Sequence, residues 1–362
     1  MKISVIIPVY NVEKYIRRCL LSVKDQKCKD FNIECLIVDD CSPDGSMTIV
    51  RDLIEKNDDK SITFKIISHE KNKGLSEARN SGIKASTGDY LYFIDSDDDI
   101  LENTFARYYS YLHEYPFVDV IMGNSLEMEC NLLTNSSVTN VSLISDKQTI
   151  IYNLLCRKID RHAWNKLIRR SFIVDNNLFF DTGLLYEDVT WTYRLFTTVS
   201  SVLIVPELTY MYEYNPSSIV HTHAERANKI VWSFVYISNF IFNNPPIIDG
   251  KKEFFTEHCL FVNHWMLYAI DNYEKYGAEK LTCSTLNNLK RKMFWTSICH
   301  LRPVMALYFL TMFRPFCWLL KVKAYRAYID RIIQIVYKLS SFYGRTDSYF
   351  KENDRGTLVA SC

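Results

Sequence analysis

Three carboxylates follow a short apolar segment and could bind a metal ion. Residues 90–94 have the pattern of a buried strand, and Asp95, Asp97 and Asp98 come directly after it. Side chains alternate in an extended chain, so Asp95 and Asp97 would share one face. Carboxylate oxygens suit Mg²⁺ or Mn²⁺, which would bridge to a diphosphate. Because Asp is also common where strands end, a plain polar loop is the alternative interpretation.

Strands and helices alternate through the first hundred residues, and these elements must position the carboxylates. Apolar runs predict four strands, and helical periodicity between them predicts three helices. The strands are expected at residues 3–9, 33–38, 63–68 and 90–94, and the helices at 12–26, 46–57 and 74–85. Near-continuously apolar strands separated by helices predict an α/β fold, with a mostly parallel sheet flanked by helices.

Polar residues also follow the first two predicted strands. Tyr10 comes at the end of one, and Asp39 and Asp40 at the end of the next. In an open parallel sheet, ligands bind beyond the carboxyl ends of the strands. These residues and the Asp95–Asp98 segment should therefore converge on one crevice.

Composition narrows the class of protein. The chain has 362 residues, of which 48% are hydrophobic, and a net charge of +1. A substantial core can therefore form, and there is no electrostatic reason to expect a nucleic-acid partner. Its 11 cysteines include no Cys-x-x-Cys pair, as expected in a reducing compartment. The apolar run after Lys2 is interrupted by Pro8 and is interpreted as a strand rather than a signal peptide, so we expect a cytoplasmic protein.

Six motifs occur in an order that resembles family 2 glycosyltransferases. The first, second and fourth contain the strand-end residues described above, and the last two lie further along the chain. They are Val-Ile-Ile-Pro-Val-Tyr-Asn at 5–11, Ile-Val-Asp-Asp-Cys-Ser-Pro-Asp-Gly-Ser at 37–46, Asn-Lys-Gly-Leu-Ser-Glu-Ala-Arg-Asn at 72–80, Gly-Asp-Tyr-Leu-Tyr-Phe-Ile-Asp-Ser-Asp-Asp at 88–98, Trp-Asn-Lys-Leu at 164–167 and Leu-Leu-Tyr-Glu-Asp-Val at 184–189. The resemblance covers roughly residues 1–220.

The resemblance implies a fold and a reaction. The fold is the A-type, Rossmann-like nucleotide-diphospho-sugar fold, with a catalytic domain over residues 1–220. The reaction is a metal-dependent, inverting transfer of a hexosyl or N-acetylhexosaminyl group from a nucleotide-sugar, with a UDP-sugar expected, to an acceptor hydroxyl. The acceptor would be a saccharide or a lipid-linked saccharide in the synthesis of a surface polysaccharide or a lipid-linked oligosaccharide.

The resemblance also implies which residues bind the nucleotide-sugar. Pro8 and Tyr10 would line the base pocket, and Asp40 would accept a hydrogen bond from the uracil imide, with Asp39 as the alternate. The remaining predicted contacts to the nucleotide, ribose or phosphates are Asn72, Arg79, Asp95 and Ser96.

By the same resemblance, Asp97 would ligate Mn²⁺ or Mg²⁺, with Asp95 beside it. Asp188 would be the general base that deprotonates the acceptor hydroxyl, and Glu187 is the alternative base. A second interpretation makes Asp188 the N-cap of a helix over residues 189–199. Asp98 and the following Asp99 are expected to cap the next helix.

Acceptor contacts are expected near the fifth motif. Trp164 could stack on a sugar and Lys166 could contact the diphosphate or the acceptor, although a buried structural Trp is equally compatible with the sequence. His221 and His223 would share a side of an extended segment and could add a metal ligand, but surface histidine pairs are common in loops rich in Ser and Thr.

The last part of the chain has a helical, aromatic pattern without an assignable motif. Apolar residues alternate with basic ones between residues 291 and 326, a pattern that fits peripheral contact with an anionic membrane. A packed helical subdomain or a homodimer contact fits equally well. We expect a helical region over 221–345 and a disordered tail over 346–362.

Two alternative functions are a sugar nucleotidyltransferase and a non-catalytic carbohydrate-binding scaffold. A sugar nucleotidyltransferase should carry a Gly-rich phosphate loop with a basic residue near the first strand, and residues 8–11 are not one. A non-catalytic carbohydrate-binding scaffold could retain the carboxylates Asp95, Asp97 and Asp188 without turnover.

Overall fold

The structure is a computed structural model, and it describes most of the first 252 residues. These are residues 1–26, 30–127, 132–134, 139–213, 215, 223–248 and 251–252, with 257–259, 261–262, 264–266, 268–269, 288, 291–292 and 295 beyond them. The chain divides into two compact units, Met1–Ser217 and Ser218–Cys362.

The first unit is built from seven helices and ten strands among its described residues. The helices are α1 (Ile16–Lys24), α2 (Ser46–Glu55), α3 (Leu75–Ala85), α4 (Thr104–Glu114), α5 (Lys147–Leu155), α6 (Arg170–Asp175) and α7 (Glu187–Thr198). The strands are β1 (Lys2–Val9), β2 (Asn32–Asp39), β3 (Ile62–Ser68), β4 (Tyr90–Phe93), β5 (Asp99–Ile100), β6 (Val120–Glu127), β7 (Leu132–Thr134), β8 (Ser142–Ile144), β9 (Lys166–Arg169) and β10 (Val202–Tyr212).

Four parallel strands form one half of the sheet, in the order β3-β2-β1-β4. Their registers pair Val9 with Asp39 and Asp39 with Ser68, so the strands end at the same edge. Residues 3–9 of β1 are all buried, as expected for a strand covered on both faces. This half confirms the predicted α/β class, and its four strands and three helices agree with the predicted ranges to within a few residues.

The other half of the sheet mixes strand directions. Strand β9 runs antiparallel to both β4 and β6, whereas β10 is parallel to β6 and antiparallel to β5. Since β9 reverses direction beside β4, the segment that enters β9 approaches the edge where the parallel strands end. The Trp164 motif is thereby placed at that edge, next to the acidic segment after β4.

Aromatic side chains fill the core around the sheet. Phe93 packs edge-on against both Phe180 and Trp191, with ring centroids 5.5 Å apart in each case. Phe180 and Trp191 are themselves stacked at 4.6 Å. This cluster joins β4, α7 and the segment before α7, so it fixes where α7 begins relative to the strand ends.

The second unit contains α8 (His223–Asn243) and the short strands β11 (Ile247–Ile248) and β12 (Lys251–Lys252). One face of α8 is buried, including Ile230, Phe234 and Ile241. The Phe234 ring lies 5.9 Å from that of Trp265, and His258 contacts the Ile241 carbonyl at 2.8 Å. In the described part of the chain, no helix combines the length and the hydropathy needed to cross a membrane.

Candidate active site

The acidic segment after β4 is a turn held by buried hydrogen bonds. The hydroxyl of Tyr210 donates to Asp98 Oδ2 at 2.7 Å and accepts from the Asp95 amide at 3.2 Å. The Glu213 amide donates to Asp98 Oδ1 at 2.9 Å. Asp98 is fully buried, and burial raises the pKa of its carboxyl. The expected capping role of Asp98 is therefore wrong, since this side chain ties the turn to β10.

Arg18 on α1 holds the same turn from its other side. Its guanidinium donates to the Asp97 carbonyl at 2.9 Å and pairs with Asp99 Oδ2 at 2.6 Å and Glu213 Oε2 at 3.1 Å. Asp99 lies in β5 and does not cap α4, whose N-cap is Asn103. These contacts leave the Asp95 and Asp97 carboxylates, both half-buried, at the edge of the sheet.

Arg79 joins the two acidic motifs. It lies on α3, is 2% exposed, and donates from Nη2 to Asp95 Oδ1 at 2.6 Å and from Nη1 to Glu187 Oε1 at 2.5 Å. The guanidinium also lies 5.3 Å from the centre of the Phe180 ring. Asp95 and Glu187 are 92 positions apart in the sequence, and a single planar cation brings their carboxylates together.

Glu187 and Asp188 form the first turn of α7. The residue before them, Tyr186, has φ of +59°, a conformation unusual for a bulky residue, and it serves as the N-cap. The structure therefore corrects the interpretation of Asp188 as an N-cap. Glu187 is buried, whereas Asp188 is half-buried. Both carboxylates lie at the positive end of the helix dipole.

Burial and crowding of like charges control the acidity of this cluster. Burial raises the pKa of Glu187 to about 7, and the Arg79 guanidinium opposes that shift. Burial also raises the pKa of Asp188, against the attraction of His162, Arg79 and Arg161. Burial, together with the neighbouring Asp95, raises the pKa of Asp97. Burial therefore makes the carboxyls of Asp97, Glu187 and Asp188 weaker acids than they are in water.

The predicted base-binding residues lie at the ends of β1 and β2. Tyr10 is 46% exposed, whereas Pro8 is buried within β1. Asp39 is half-buried, and its Oδ1 accepts from the Ser42 amide at 2.9 Å. Of the other predicted contacts, Asn72 is exposed and Ser96 is buried.

Asp40, the first choice for the base contact, is 3% exposed and engaged within the chain. Its Oδ1 accepts from the Lys73 amide at 2.8 Å and lies 2.7 Å from His69 Nδ1, and its Oδ2 accepts from the Gly74 amide at 2.8 Å. With both oxygens in use, Asp40 fixes the loop before α3. Asp39, in contrast, accepts through Oδ1 from Ser42 and is half-buried.

Trp164 is buried and is not an open platform for a sugar. Its ring is stacked between His162, at a centroid distance of 4.5 Å, and Tyr210, at 4.4 Å. Lys166 is fully buried, and its Nζ donates to the His162 carbonyl at 2.7 Å. The structure therefore corrects the acceptor contact assigned to Lys166, because this ammonium group supports the turn before β9.

A divalent cation fits the carboxylates after β4. Asp95 gives one oxygen to Arg79, and Asp97 Oδ2 accepts from Asn215 at 2.8 Å. Each carboxylate therefore offers a second hard oxygen, the type of ligand that Mg²⁺ and Mn²⁺ prefer. Within the described ranges no three Asp, Glu, His or Cys side chains cluster as a complete metal site. Diphosphate and water oxygens would complete the coordination.

Several predictions lie outside the described residues. The possible metal ligands His221 and His223 are among them, because residue 221 and the side chain of His223 lie outside the described part of the structure. Of the basic stretch over 291–326, only residues 291, 292 and 295 are described, and the tail over 346–362 is not.

The sequence interpretation missed four residues that organise the site: Arg18, Asp160, His162 and Tyr210. None belongs to a motif. Arg18 and Tyr210 act through partners distant in the chain, whereas Asp160 and His162 contact each other and the nearby Lys166. The one available signal was the spacing of His162 and Trp164, which puts both rings on one side of an extended segment.

Comparison with known proteins identifies the family. The model of glycosyl transferase family 2 matches residues 4–175. EpsH of Bacillus subtilis, which carries a glycosyltransferase name, is 31% identical over 285 residues, covering 77% of this chain and 79% of EpsH. The chain belongs to glycosyltransferase family 2. This membership confirms the resemblance and makes the chain a glycosyltransferase.

Two further comparisons concern the TarS protein of Staphylococcus aureus. The TarS poly(ribitol-phosphate) β-N-acetylglucosaminyltransferase is 29% identical over 218 residues, 59% of this chain but only 35% of TarS. The crystal structure of TarS 1–349 in complex with UDP-GlcNAc superposes with a TM-score of 0.63 at 19% identity, covering 95% of this chain and 93% of that one. This structural likeness confirms the A-type glycosyltransferase fold.

Proposed function

We propose that this family 2 enzyme transfers a hexosyl or N-acetylhexosaminyl group from a UDP-sugar to an acceptor hydroxyl, with inversion and with a divalent cation. The Arg79 bridge carries this proposal. One guanidinium pairs with Asp95, a proposed metal ligand, and with Glu187, which is adjacent to the proposed general base Asp188. The UDP-GlcNAc complex of TarS supports a UDP-sugar as the donor.

Asp188 is proposed as the general base, and the contacts of Glu187 support this choice. Arg79 donates from Nη1 to Glu187 and from Nη2 to Asp95. The Glu187 carboxylate is therefore engaged in an ion pair, and we assign it a structural role. Asp188 is half-buried and can reach a substrate. It would take the proton of the acceptor hydroxyl as that oxygen bonds to the anomeric carbon. The bond from the anomeric carbon to the diphosphate breaks on the opposite face, which inverts the configuration.

The nucleotide would lie along the ends of β1, β2 and β4. The exposed ring of Tyr10 would pack against the base or ribose, and Asp39 would accept from the uracil imide. Asp95 and Asp97 would hold Mn²⁺ or Mg²⁺ beside the diphosphate. When bound, the cation would stabilise the charge that develops on the leaving UDP.

For the acceptor we propose a chemical class and not a single compound. Saccharides of a surface polysaccharide or a lipid-linked oligosaccharide fit the family, and TarS carries the name of a transferase acting on poly(ribitol-phosphate). For residues 221–345 we propose either contact with an anionic membrane or a second subunit. Membrane contact would hold the enzyme near a lipid-linked acceptor at the inner face of the membrane.

The test is a donor screen that measures UDP release from a set of UDP-sugars, with Mn²⁺ or Mg²⁺ and with EDTA. We expect one donor to be turned over only with the metal present. A non-catalytic scaffold would bind UDP and release none from any donor, and metal-independent turnover would remove the cation from the proposal. A sugar nucleotidyltransferase would release pyrophosphate from UTP instead.

A further inference from the structure

The segment over residues 178–181, which precedes α7, is hydrogen-bonded to α3. Asn80 donates from Nδ2 to the Phe180 carbonyl at 2.9 Å, and its Oδ1 accepts from the Phe180 amide at 2.8 Å. The Ser76 hydroxyl donates to the Asp181 carbonyl at 2.7 Å. Ser76 and Asn80 are four positions apart, so they share one face of the helix. This face of α3 therefore holds the backbone of the segment.

The same segment is also bound to α7. Trp191 Nε1 donates to the Leu178 carbonyl at 2.9 Å. The Thr190 hydroxyl donates to Asp181 Oδ2 at 2.7 Å, and Arg194 Nη2 lies 3.4 Å from Asp181 Oδ1. Side chains of both helices meet on a single stretch of backbone, and the 178–181 segment thereby joins α3 to α7.

The Phe180 side chain contacts both Trp191 on α7 and Arg79 on α3. It is 3% exposed, and its ring stacks on that of Trp191 at 4.6 Å with an interplanar angle of 8°. The Arg79 guanidinium carbon lies 5.3 Å from the centre of the Phe180 ring, within the range of cation–π attraction. The same guanidinium donates to Asp95 and Glu187. Phe180 therefore packs against the cation that joins the two acidic motifs.

We propose that Phe180, whose backbone is held by Asn80, is a positioning residue that sets the place of the Arg79 guanidinium. Arg79 in turn holds Glu187 at the start of α7, next to Asp188. This inference rests on the proposed function, in which Asp188 is the general base. Without the Phe180 ring the guanidinium can shift, and the base then moves out of line with the acceptor hydroxyl. Because misplacing a reacting group mainly slows the chemical step, kcat should suffer more than the affinity for UDP.

The first experiment measures kcat for UDP-sugar transfer by the full chain at saturating Mn²⁺, with UDP affinity from calorimetry on the same samples. For Phe180→Leu, which keeps an apolar side chain but has no ring, we expect kcat about tenfold below that of the unchanged chain. The affinity for UDP should change by less than about threefold. Phe180→Tyr keeps a ring against Arg79 and should retain kcat within about threefold, although burial of its hydroxyl lowers the thermal stability.

The matched control is Phe179→Leu. Phe179 belongs to the same segment and is half-buried, and its ring lies 5.9 Å from the ammonium group of Lys84, another cation of α3. Because this pair is not part of the Arg79 bridge, kcat should stay within about twofold of the unchanged chain. If Phe180→Leu also keeps a normal kcat, or if Phe180→Tyr loses as much as Phe180→Leu, the proposal is wrong. The second result would assign Phe180 a purely structural role.

A second variant tests the hold of Asn80 on Phe180 without opening a cavity. Asn80→Asp keeps the size of the side chain and an acceptor for the Phe180 amide, but it sets an oxygen against the Phe180 carbonyl. We expect the same signature as for Phe180→Leu, with kcat about tenfold lower and UDP affinity changed by less than about threefold. A normal kcat in Asn80→Asp would overturn the role of Asn80, and the proposal with it.

A third measurement needs no turnover. The contact between Arg79 and Phe180 is lost in each single variant but only once in the double variant, so the two losses of stability should not add. In urea titrations, the free energy of unfolding of the Arg79→Met, Phe180→Leu double variant should fall by less than the sum of the two single losses. For Arg79→Met combined with Phe179→Leu, the losses should add.

The outcomes separate this inference from the proposed function. Additive losses for Arg79→Met and Phe180→Leu overturn the inference and leave the proposed function intact. If the unchanged chain turns over no UDP-sugar, the proposed function fails, and the urea titrations still decide whether Phe180 holds Arg79 in place.

Discussion

The acidic pair at the end of β2, Asp39 and Asp40, resembles the acidic pair at the start of α7, Glu187 and Asp188, in how its two carboxylates are placed. In each pair, one carboxylate is buried and held by other residues of the chain. Asp40 is held by two backbone amides and by His69. Glu187 is held by Arg79. The neighbouring Asp39 and Asp188 are half-buried. An adjacent pair of acidic residues can therefore combine a structural anchor with a more accessible carboxylate, which is the one proposed here to face the ligand.

The two pairs differ in what holds the anchor. Asp40 is fixed by donors from the loop before α3, so its effect is local. Glu187 is fixed by a buried cation that also holds Asp95, so its effect extends across the pocket. Disturbing the first anchor should alter a loop, whereas disturbing the second should alter both halves of the site.

The largest effect should come from the ligand-facing member at α7. Asp188→Asn keeps the size of the side chain but cannot accept the proton, so kcat should fall by about 10²–10⁴-fold. The affinity for UDP, measured by calorimetry, should stay within about twofold, because the proposed role of Asp188 is toward the acceptor and not the nucleotide. The matched control, Glu187→Gln, keeps an oxygen for Arg79 and should lose less activity. A larger loss in Glu187→Gln would exchange the two roles.

The next effect should come from the shared cation. Arg79→Met leaves Asp95 and Glu187 without their partner, and breaking a buried ion pair costs about 3–5 kcal/mol. The free energy of unfolding, from urea titration followed by circular dichroism, should fall by that amount. Arg18→Met removes a half-exposed guanidinium from the same pocket and should cost less. Equal losses in both variants would contradict the special position of Arg79.

A smaller loss of stability should come from the anchor at β2. Asp40→Asn turns an amide NH₂ toward backbone N–H groups of Lys73 or Gly74, which costs about 2 kcal/mol. Thermal unfolding should show the loss, and transfer at saturating donor concentration should persist. Unchanged stability would mean that the loop before α3 does not depend on this carboxylate.

The smallest effect should come from Asp39, the neighbour of Asp40. Asp39→Asn retains an oxygen for the Ser42 amide, so stability should change by less than about 0.5 kcal/mol. The new NH₂ would face the uracil imide, and the affinity for UDP should fall about tenfold, or about 1.4 kcal/mol. If Asp40→Asn weakens UDP binding more than Asp39→Asn does, the base contact belongs to Asp40 after all.

Much of the fold could be predicted because its signals are local. The apolar residues 33–38 and the periodicity of residues 46–57 record burial on one or two faces, and β2 and α2 were recovered closely. The antiparallel insertion of β9 had no such signal, because only pairing with β4 and β6 sets its direction.

The sequence by itself determined the chemical types at the strand ends: an aromatic ring after β1, two carboxylates after β2 and an acidic turn after β4. It could not say which of two adjacent acids is buried and held by the chain, because Asp39 and Asp40, like Glu187 and Asp188, are locally alike. Only the tertiary structure decided this, since the selecting partners, Arg79 on α3 and the amides before it, are distant in the chain. The same reason explains His162, whose place depends on the packing of three rings from two strand ends.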